Sequence, residues 1–172
     1  MLYLVLVYLI SSNIAHALWN SPIPYFIDKT IDYPDRIMNA INYIEDHTNW
    51  DFIPWTNETE YIFFNGDTDD CNAELGKRSN IPTFSNIAKQ CSMFTVVHEI
   101  CHILGLPHQH QYSNRDDHVE INMNNIEEGK YTNNFQKYSS PFFIKYLYSY
   151  PYDYGSVCIM DYGLFLKMVK KQ

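Results

Sequence analysis

Apolar and polar positions change their period several times along this chain, and each change marks an element. Leu2 to Ile10 is an unbroken apolar run. Ile23 to Ile27 reads as a first strand. Past Pro34, which suits a helix start, Ile37, Ile41 and Ile44 recur at helical spacing and predict one buried helix face ending near His47. Trp50 to Trp55 and Glu60 to Phe64 return to strand-like patterns, separated by polar residues around Asn57. Asn65 to Lys77, rich in Asp, Asn and Gly, reads as a loop. Asn80 to Ser85 reads as an edge strand, because Pro82 lacks the N–H that a central ladder needs. Ser92 to Leu104 predicts an apolar helix capped by Ser92. Beyond Gly105 the pattern turns irregular, with a short helix expected around Asn133 to Tyr138. Sheet and helices come first, and a loop-rich half follows.

Composition narrows the setting. At 172 residues, 46% hydrophobic and 19% charged, the chain can bury a core as one domain or as two lobes sharing one cleft. Its net charge of −8 argues against nucleic acid and anionic membrane as partners, since both need basic patches. The run from Leu2 to Ile10 is too short to span a bilayer, and Ala15-His16-Ala17 after it has the A-x-A form of a signal-peptidase site. Residues 1–17 are therefore expected to be a signal peptide, although no Lys or Arg precedes the apolar run, and residues 18–172 a secreted domain without a membrane anchor. Cys71, Cys91, Cys101 and Cys158 form no CxxC pair, which speaks against a cysteine zinc finger, and their spacing leaves all three full pairings open. Asn57-Glu58-Thr59 is an N-glycosylation sequon between two predicted strands, a weak sign of export.

The chemistry lies in His98-Glu99-Ile100-Cys101-His102-Ile103-Leu104-Gly105-Leu106-Pro107-His108. Residues four apart on a helix share a face, so His98 and His102 can aim at one ion. Glu99 is rotated about 100° from His98, out of ligand reach but near a water held by that ion. Gly105 can adopt positive φ, stop the helix and let the chain deliver His108 as a third ligand. Three nitrogen donors leave a fourth zinc position open, the mark of a catalytic site, with Glu99 as general base. A lone histidine here would more often be a satisfied core residue; three of them with Glu and Gly at these spacings specify a metal.

Through those residues the chain resembles the astacin family of metzincin metallopeptidases. The resemblance continues through Arg115-Asp116-Asp117-His118-Val119 with Ile121 and Asn122, through Tyr61-Ile62-Phe63-Phe64 with Gly66 and Cys71, through Trp19 with Ile23-Pro24-Tyr25, and through Pro151-Tyr152-Asp153-Tyr154-Gly155-Ser156-Val157. It implies an α+β metzincin fold: an upper lobe over about 18–105 with a twisted mixed β-sheet and two helices, a small irregular lower lobe over about 106–172, and an active-site cleft between them. It implies one Zn2+ per chain, a protein or peptide substrate, and a secreted monomer. A disulfide between Cys71 and Cys91 would match a family bridge. Met160 would be the Met-turn methionine beneath the imidazoles, and Tyr162 the switch tyrosine that hydrogen-bonds the oxyanion.

Departures from the family accompany these matches. Cys158 and Ile159 intervene between Val157 and Met160, so the alignment of Met160 and Tyr162 needs a gap, which Tyr162-Gly163 and Phe165 favour. Gln109 stands in place of the glutamate that receives the mature amino terminus in the family, and no pro-segment fits between Ala17 and Trp19. Cys101 and Cys158 are given no partner. Arg115 is expected to form a structural ion pair with Asp116 or Asp117, while His110 and His118 are expected to be solvated. The strand near Ile81 to Ser85 is expected to receive an extended peptide by strand addition. The alternative function is a catalytically impaired secreted zinc protein that binds peptides; another metzincin branch fits the residues from Arg115 to Asn122 less well.

Overall fold

A computed structural model describes residues 19–126, 134–138, 152–159 and 166–168. By internal contacts the chain forms two compact units, Leu2–Leu106 and Pro107–Gln172.

Among its described residues, the first unit is a five-stranded sheet with two helices. Strand β1 (Ile23–Ile27) pairs in parallel with β2 (Phe52–Pro54) on one side and with β3 (Ile62–Asn65) on the other. Strand β5 (Thr83–Ile87) runs parallel to β3, and β4 (Cys71–Ala73) closes that side antiparallel to β5, giving the order β2-β1-β3-β5-β4. Alternation along the strands separates two faces. Ile23, Tyr25, Ile62, Phe64, Thr83, Ser85 and Ile87 are buried, whereas Phe26, Ile53 and Phe84 face water.

Helix α1 (Asp35–His47) buries Ile37, Ala40, Ile41 and Ile44, the stripe that the isoleucine spacing predicts. Asp35 lies in its first turn, where the helix dipole favours negative charge. Arg36 fixes the opening turn from outside: its guanidinium donates to the carbonyls of Ala88, Lys89 and Cys91 at 2.7–2.9 Å. Those carbonyls belong to the segment that leads into helix α2 (Met93–Ile103), so one side chain ties the start of the first helix to the entry of the second.

Two expectations change here. Part of the stretch read as loop, Cys71–Ala73, is a strand, recruited by β5 although its own sequence is polar. The strand expected at Asn80 to Ser85 begins later, at Thr83, and is not an edge. Pro82 stands just before the ladder, so its missing N–H costs no pairing. Beyond the end of β4, Glu74 completes the edge of β5, with its N–H on the Phe84 carbonyl at 3.1 Å and its carboxylate on the Phe84 N–H at 2.8 Å. Strand addition at Ile81 to Ser85 is thereby overturned, because Phe84 and the residues after it are already paired.

The described residues of the second unit form short pieces. Three 3-10 turns (Gln109–Gln111, Arg115–Asp117 and Met123–Asn125) accompany β6 (Val119–Ile121), which pairs antiparallel with β7 (Leu166–Met168). Buried polar groups organise it. Arg115 donates to the carbonyls of His110, at 2.8 Å, and Phe135, and pairs with Asp116 at 3.1 Å. His110 is fully buried, with Nε2 2.7 Å from the Asn134 carbonyl, so the expectation of a solvated residue does not hold. His118 is partly exposed, its ring stacked 4.4 Å from that of Tyr152. The expected signal peptide lies outside the described residues, as does part of the short helix expected around Asn133 to Tyr138.

Candidate metal centre

Helix α2 carries the first two histidines, and its two ends are separately secured. At its start the Ser92 hydroxyl accepts the Thr95 N–H at 3.1 Å, a side-chain cap for a run rich in β-branched residues. Cys71 and Cys91 are disulfide-bonded with Cα atoms 6.0 Å apart, which fastens β4 to the residue before that cap. Val96, Val97, Ile100, Cys101 and Ile103 are buried, so core packing fixes the rotation of the helix.

The far end stops in a defined turn. Gly105 has φ 96°, a left-handed conformation that a side chain would strain. Its N–H donates to the His102 carbonyl at 2.8 Å, and the Leu106 N–H reaches back to the Cys101 carbonyl at 2.9 Å, the paired bonds of a Schellman stop. The Trp19 indole N–H donates to the Ile103 carbonyl at 3.1 Å, satisfying one more carbonyl of the last turn. The Gly76 N–H donates to the carbonyl of His102 at 2.9 Å, from the loop after β4.

This turn does more than end a helix. It brings the Leu106 carbonyl to 2.6 Å from His102 Nδ1. A carbonyl can only accept, so Nδ1 carries the proton and Nε2 presents a bare lone pair. That Nε2 lies 2.8 Å from His98 Nε2, and the two rings stand at 89° to one another. His108 is held in the same manner. Its Nδ1 is 2.9 Å from Gln111 Oε1, an oxygen that also accepts from the Tyr138 hydroxyl at 3.1 Å, while the Gln111 Nε2 donates to the Gln136 carbonyl at 3.0 Å. The amide oxygen therefore faces the imidazole, again leaving His108 Nε2 unprotonated.

Ligand atoms of His98, His102 and His108 all lie within 4.8 Å of one another. Two of the three imidazoles have their tautomer set by an acceptor behind them, the arrangement found behind metal-binding histidines. A nitrogen-only set suits zinc and other first-row transition ions rather than calcium or magnesium, which take oxygen. Zinc–nitrogen bonds of about 2.1 Å place neighbouring nitrogens about 3.4 Å apart in a tetrahedron, within the spread of the cluster. The residues present fit the ion.

Glu99 follows His98 on the helix and is 5% exposed, and that burial pushes its carboxyl up to about 7. Gln109 occupies the neighbourhood differently from a glutamate. Its N–H donates to the Cys158 carbonyl at 3.0 Å, and its amide, oriented to satisfy both groups, donates to the Asp153 carbonyl at 2.6 Å and accepts the Asp153 N–H at 3.2 Å. Met160 and Tyr162 lie outside the described residues. Spacing does not reveal Leu106 and Gln111, which orient the imidazoles, or Tyr138, which holds Gln111: the first acts through its backbone, the second is a neutral amide three residues from His108, and the third lies 27 residues beyond Gln111.

Comparison with known proteins places this arrangement. Residues 11–170 match the family model described as Astacin, a peptidase family. The zinc metalloproteinase nas-5 of Caenorhabditis elegans is 34% identical over 155 residues, covering 86% of this chain and 42% of that protein. The meprin A subunit beta of Homo sapiens is 35% identical over 143 residues, covering 81% of this chain and 20% of its own length. The chain thus spans less than half the length of these curated relatives. Among solved structures, high choriolytic enzyme 1, a hatching enzyme zinc-protease from the medaka fish Oryzias latipes, superposes with a TM-score of 0.75 at 25% identity, covering 90% of this chain and 82% of that one. Myroilysin shares the fold at a TM-score of 0.56 and 18% identity. On its own residues and on these likenesses, the chain belongs to the astacin family.

Proposed function

We propose that this chain is a secreted zinc endopeptidase that hydrolyses protein or peptide substrates as a monomer with one zinc ion. The observation that carries the reading is the convergence of His98, His102 and His108 within 4.8 Å, with the buried carboxyl of Glu99 one position along the same helix.

Zinc, when bound, supplies Lewis acidity, lowering the pKa of a water to about 7 and polarising the scissile carbonyl. The chain's residues do the rest. His98, His102 and His108 hold the ion through Nε2, and the Leu106 carbonyl and Gln111 keep two of those rings in register. Glu99, in a site where burial keeps water from screening it, takes a proton from the attacking water and returns it to the leaving amine. Tyr162 is proposed to donate to the oxyanion, worth about 3 to 4 kcal/mol in the transition state, and Met160 to pack beneath the imidazoles. Export is supported by the apolar run before Ala15-His16-Ala17 and by a disulfide, which persists in oxidising compartments.

Casein digestion by the purified protein tests this. Glu99→Ala should lower kcat by about 10²- to 10⁴-fold with zinc content unchanged at one ion per chain, and a chelator should abolish turnover. Activity indifferent to Glu99→Ala would refute the mechanism. A folded, zinc-loaded wild type without activity would instead favour the peptide-binding alternative, to which the residues inserted at Cys158 and Ile159 lend their weight.

A further inference from the structure

The solvent side of the five-stranded sheet carries a row of aromatic rings. Ladder register sets Phe26 of β1 beside Phe63 of β3, and Phe63 beside Phe84 of β5, with ring centroids 5.5 and 5.3 Å apart. Trp55, just past β2, extends the row, its ring 5.8 Å from that of Phe26 and 5.1 Å from that of Tyr61. Phe26, Trp55 and Phe84 are 36%, 37% and 41% exposed, so the row is open to water. Apolar surface gathered in one strip gains by being covered from water.

The turn at the Trp55 end holds Asn57-Glu58-Thr59, and its hydrogen bonds present the sequon outward. The Glu58 carboxylate accepts the N–H groups of Thr56 and Asn57 at 2.9 and 3.1 Å. The Trp55 indole N–H donates to the Glu58 carbonyl at 2.8 Å, which lays the ring against the turn. Asn57 and Thr59 are both exposed. The Asn57 side chain meets Thr56 Oγ1 through its oxygen at 3.4 Å, and among the described residues its Nδ2 has no acceptor.

We propose that Asn57 carries an N-linked glycan whose first sugars lie across Trp55 and Phe26 and cover that end of the aromatic row. The donor is an oligosaccharide on a lipid diphosphate. Asn57 Nδ2 bonds to the anomeric carbon as the bond from that carbon to the diphosphate oxygen breaks; the diphosphate leaves with the electron pair, and the nitrogen loses one proton. The Thr59 hydroxyl completes the acceptor signal, and Glu58 between them is not proline. A pyranose presents a face of C–H bonds that stacks on an indole while its hydroxyls stay in water, so the sugar covers apolar surface without burying a charge. Attachment two residues from Trp55 keeps that face at high effective concentration beside the ring. The inference rests on the export reading and is independent of proteolysis.

Production of the full chain in secreting animal cells tests it, with peptide mass analysis of medium and cell fractions and thiol labelling of Cys71 and Cys91 in the same map. Most chains should carry a glycan that peptide N-glycosidase removes, leaving an aspartate in place of Asn57, and Thr59→Ala should abolish it. A bonded Cys71–Cys91 pair with unmodified Asn57 would overturn the glycan and leave export standing. Reduced cysteines with unmodified Asn57 would overturn both, and neither outcome bears on peptidase activity. For the covering, deglycosylation of the folded protein should shift tryptophan emission to the red, and the shift should be lost in Trp55→Ala. Unchanged emission would overturn the stacking. So would dimerisation of the fully glycosylated chain that Phe84→Glu abolishes, which would assign the strip to a second copy.

Discussion

Glu99 is the residue whose chemistry is most open to test without substrate. In an unfolded chain its carboxyl ionises near 4.5, and in the folded protein near 7, because burial disfavours the charged form. Between those values the unfolded chain has released its proton and the folded chain has not. The associated stability of the metal-free protein is therefore fully present below about pH 4.5 and is lost as the pH rises through about 7. At 1.36 kcal/mol per pKa unit the loss is at most about 3 kcal/mol. Glu99→Gln should remove that part of the pH dependence and make the metal-free variant the more stable of the two above pH 7 by up to about 3 kcal/mol. Denaturant titrations in chelator at pH 4.5 and 8 read the difference, and parallel curves for the two proteins would show that Glu99 is not held in its neutral form. At this scale the sequence is most legible where geometry is one-dimensional. Positions 98, 99 and 102 share a helix, and that alone brings two imidazoles together and sets the carboxyl next to one of them. It is least legible where partners come from elsewhere. His110 reads as solvated from its neighbours in the chain, yet it is buried by a segment more than twenty residues later, through the Asn134 carbonyl.

Among the elements, helix α2 and its stop decide the site. Gly105→Ala forces a side chain into a left-handed conformation at a cost of about 1–2 kcal/mol. If the chain escapes by leaving that conformation, the Leu106 carbonyl leaves His102 Nδ1. The variant should thus lose both melting temperature and zinc affinity, the latter about tenfold or more, as for other losses behind a ligating histidine. Equilibrium dialysis against a zinc buffer separates the two effects, and a variant that loses stability while keeping its affinity would mean that the turn does not position His102. The strands show why boundaries read from sequence drift. β1 and α1 follow strong apolar spacings and lie where those spacings place them. β4 is three residues with a polar centre, which no periodicity singles out; it exists because β5 offers a ladder and Cys71 is bonded. β5 begins just after Pro82, where the ladder can first use an N–H, and the glutamate that pairs with Phe84 hides an edge that the proline seemed to announce.

For the molecule as a whole, one covalent tie carries a measurable share of stability. The Cys71–Cys91 bridge closes a sequence separation of 20 residues, for which the chain-entropy model gives about 3 kcal/mol. Replacement of both cysteines by serine should lower stability by about that amount in denaturant titrations. A change below about 1 kcal/mol would mean that packing already restrains the loop. The bridge also ends one residue before the Ser92 cap, so its loss should loosen the start of α2 as well. The overall plan of a mixed sheet with two helices, one of them bearing the histidines, is accessible from the motif and the resemblance together. The second unit is not, because its order comes from buried polar groups such as Arg115, whose donors meet carbonyls that carry no side-chain signature.

The stop after α2 has a consequence for anyone who would move or redesign this centre. Three histidines and a glutamate copied onto a foreign helix would carry the donors but leave behind the peptide group that decides which nitrogen of His102 holds the proton. In that borrowed setting the imidazole could turn over or protonate at the wrong atom, and metal would bind weakly or at random. The smallest transplantable piece is therefore a helix together with its exit, because here the backbone that ends one element also sets the tautomer of an imidazole.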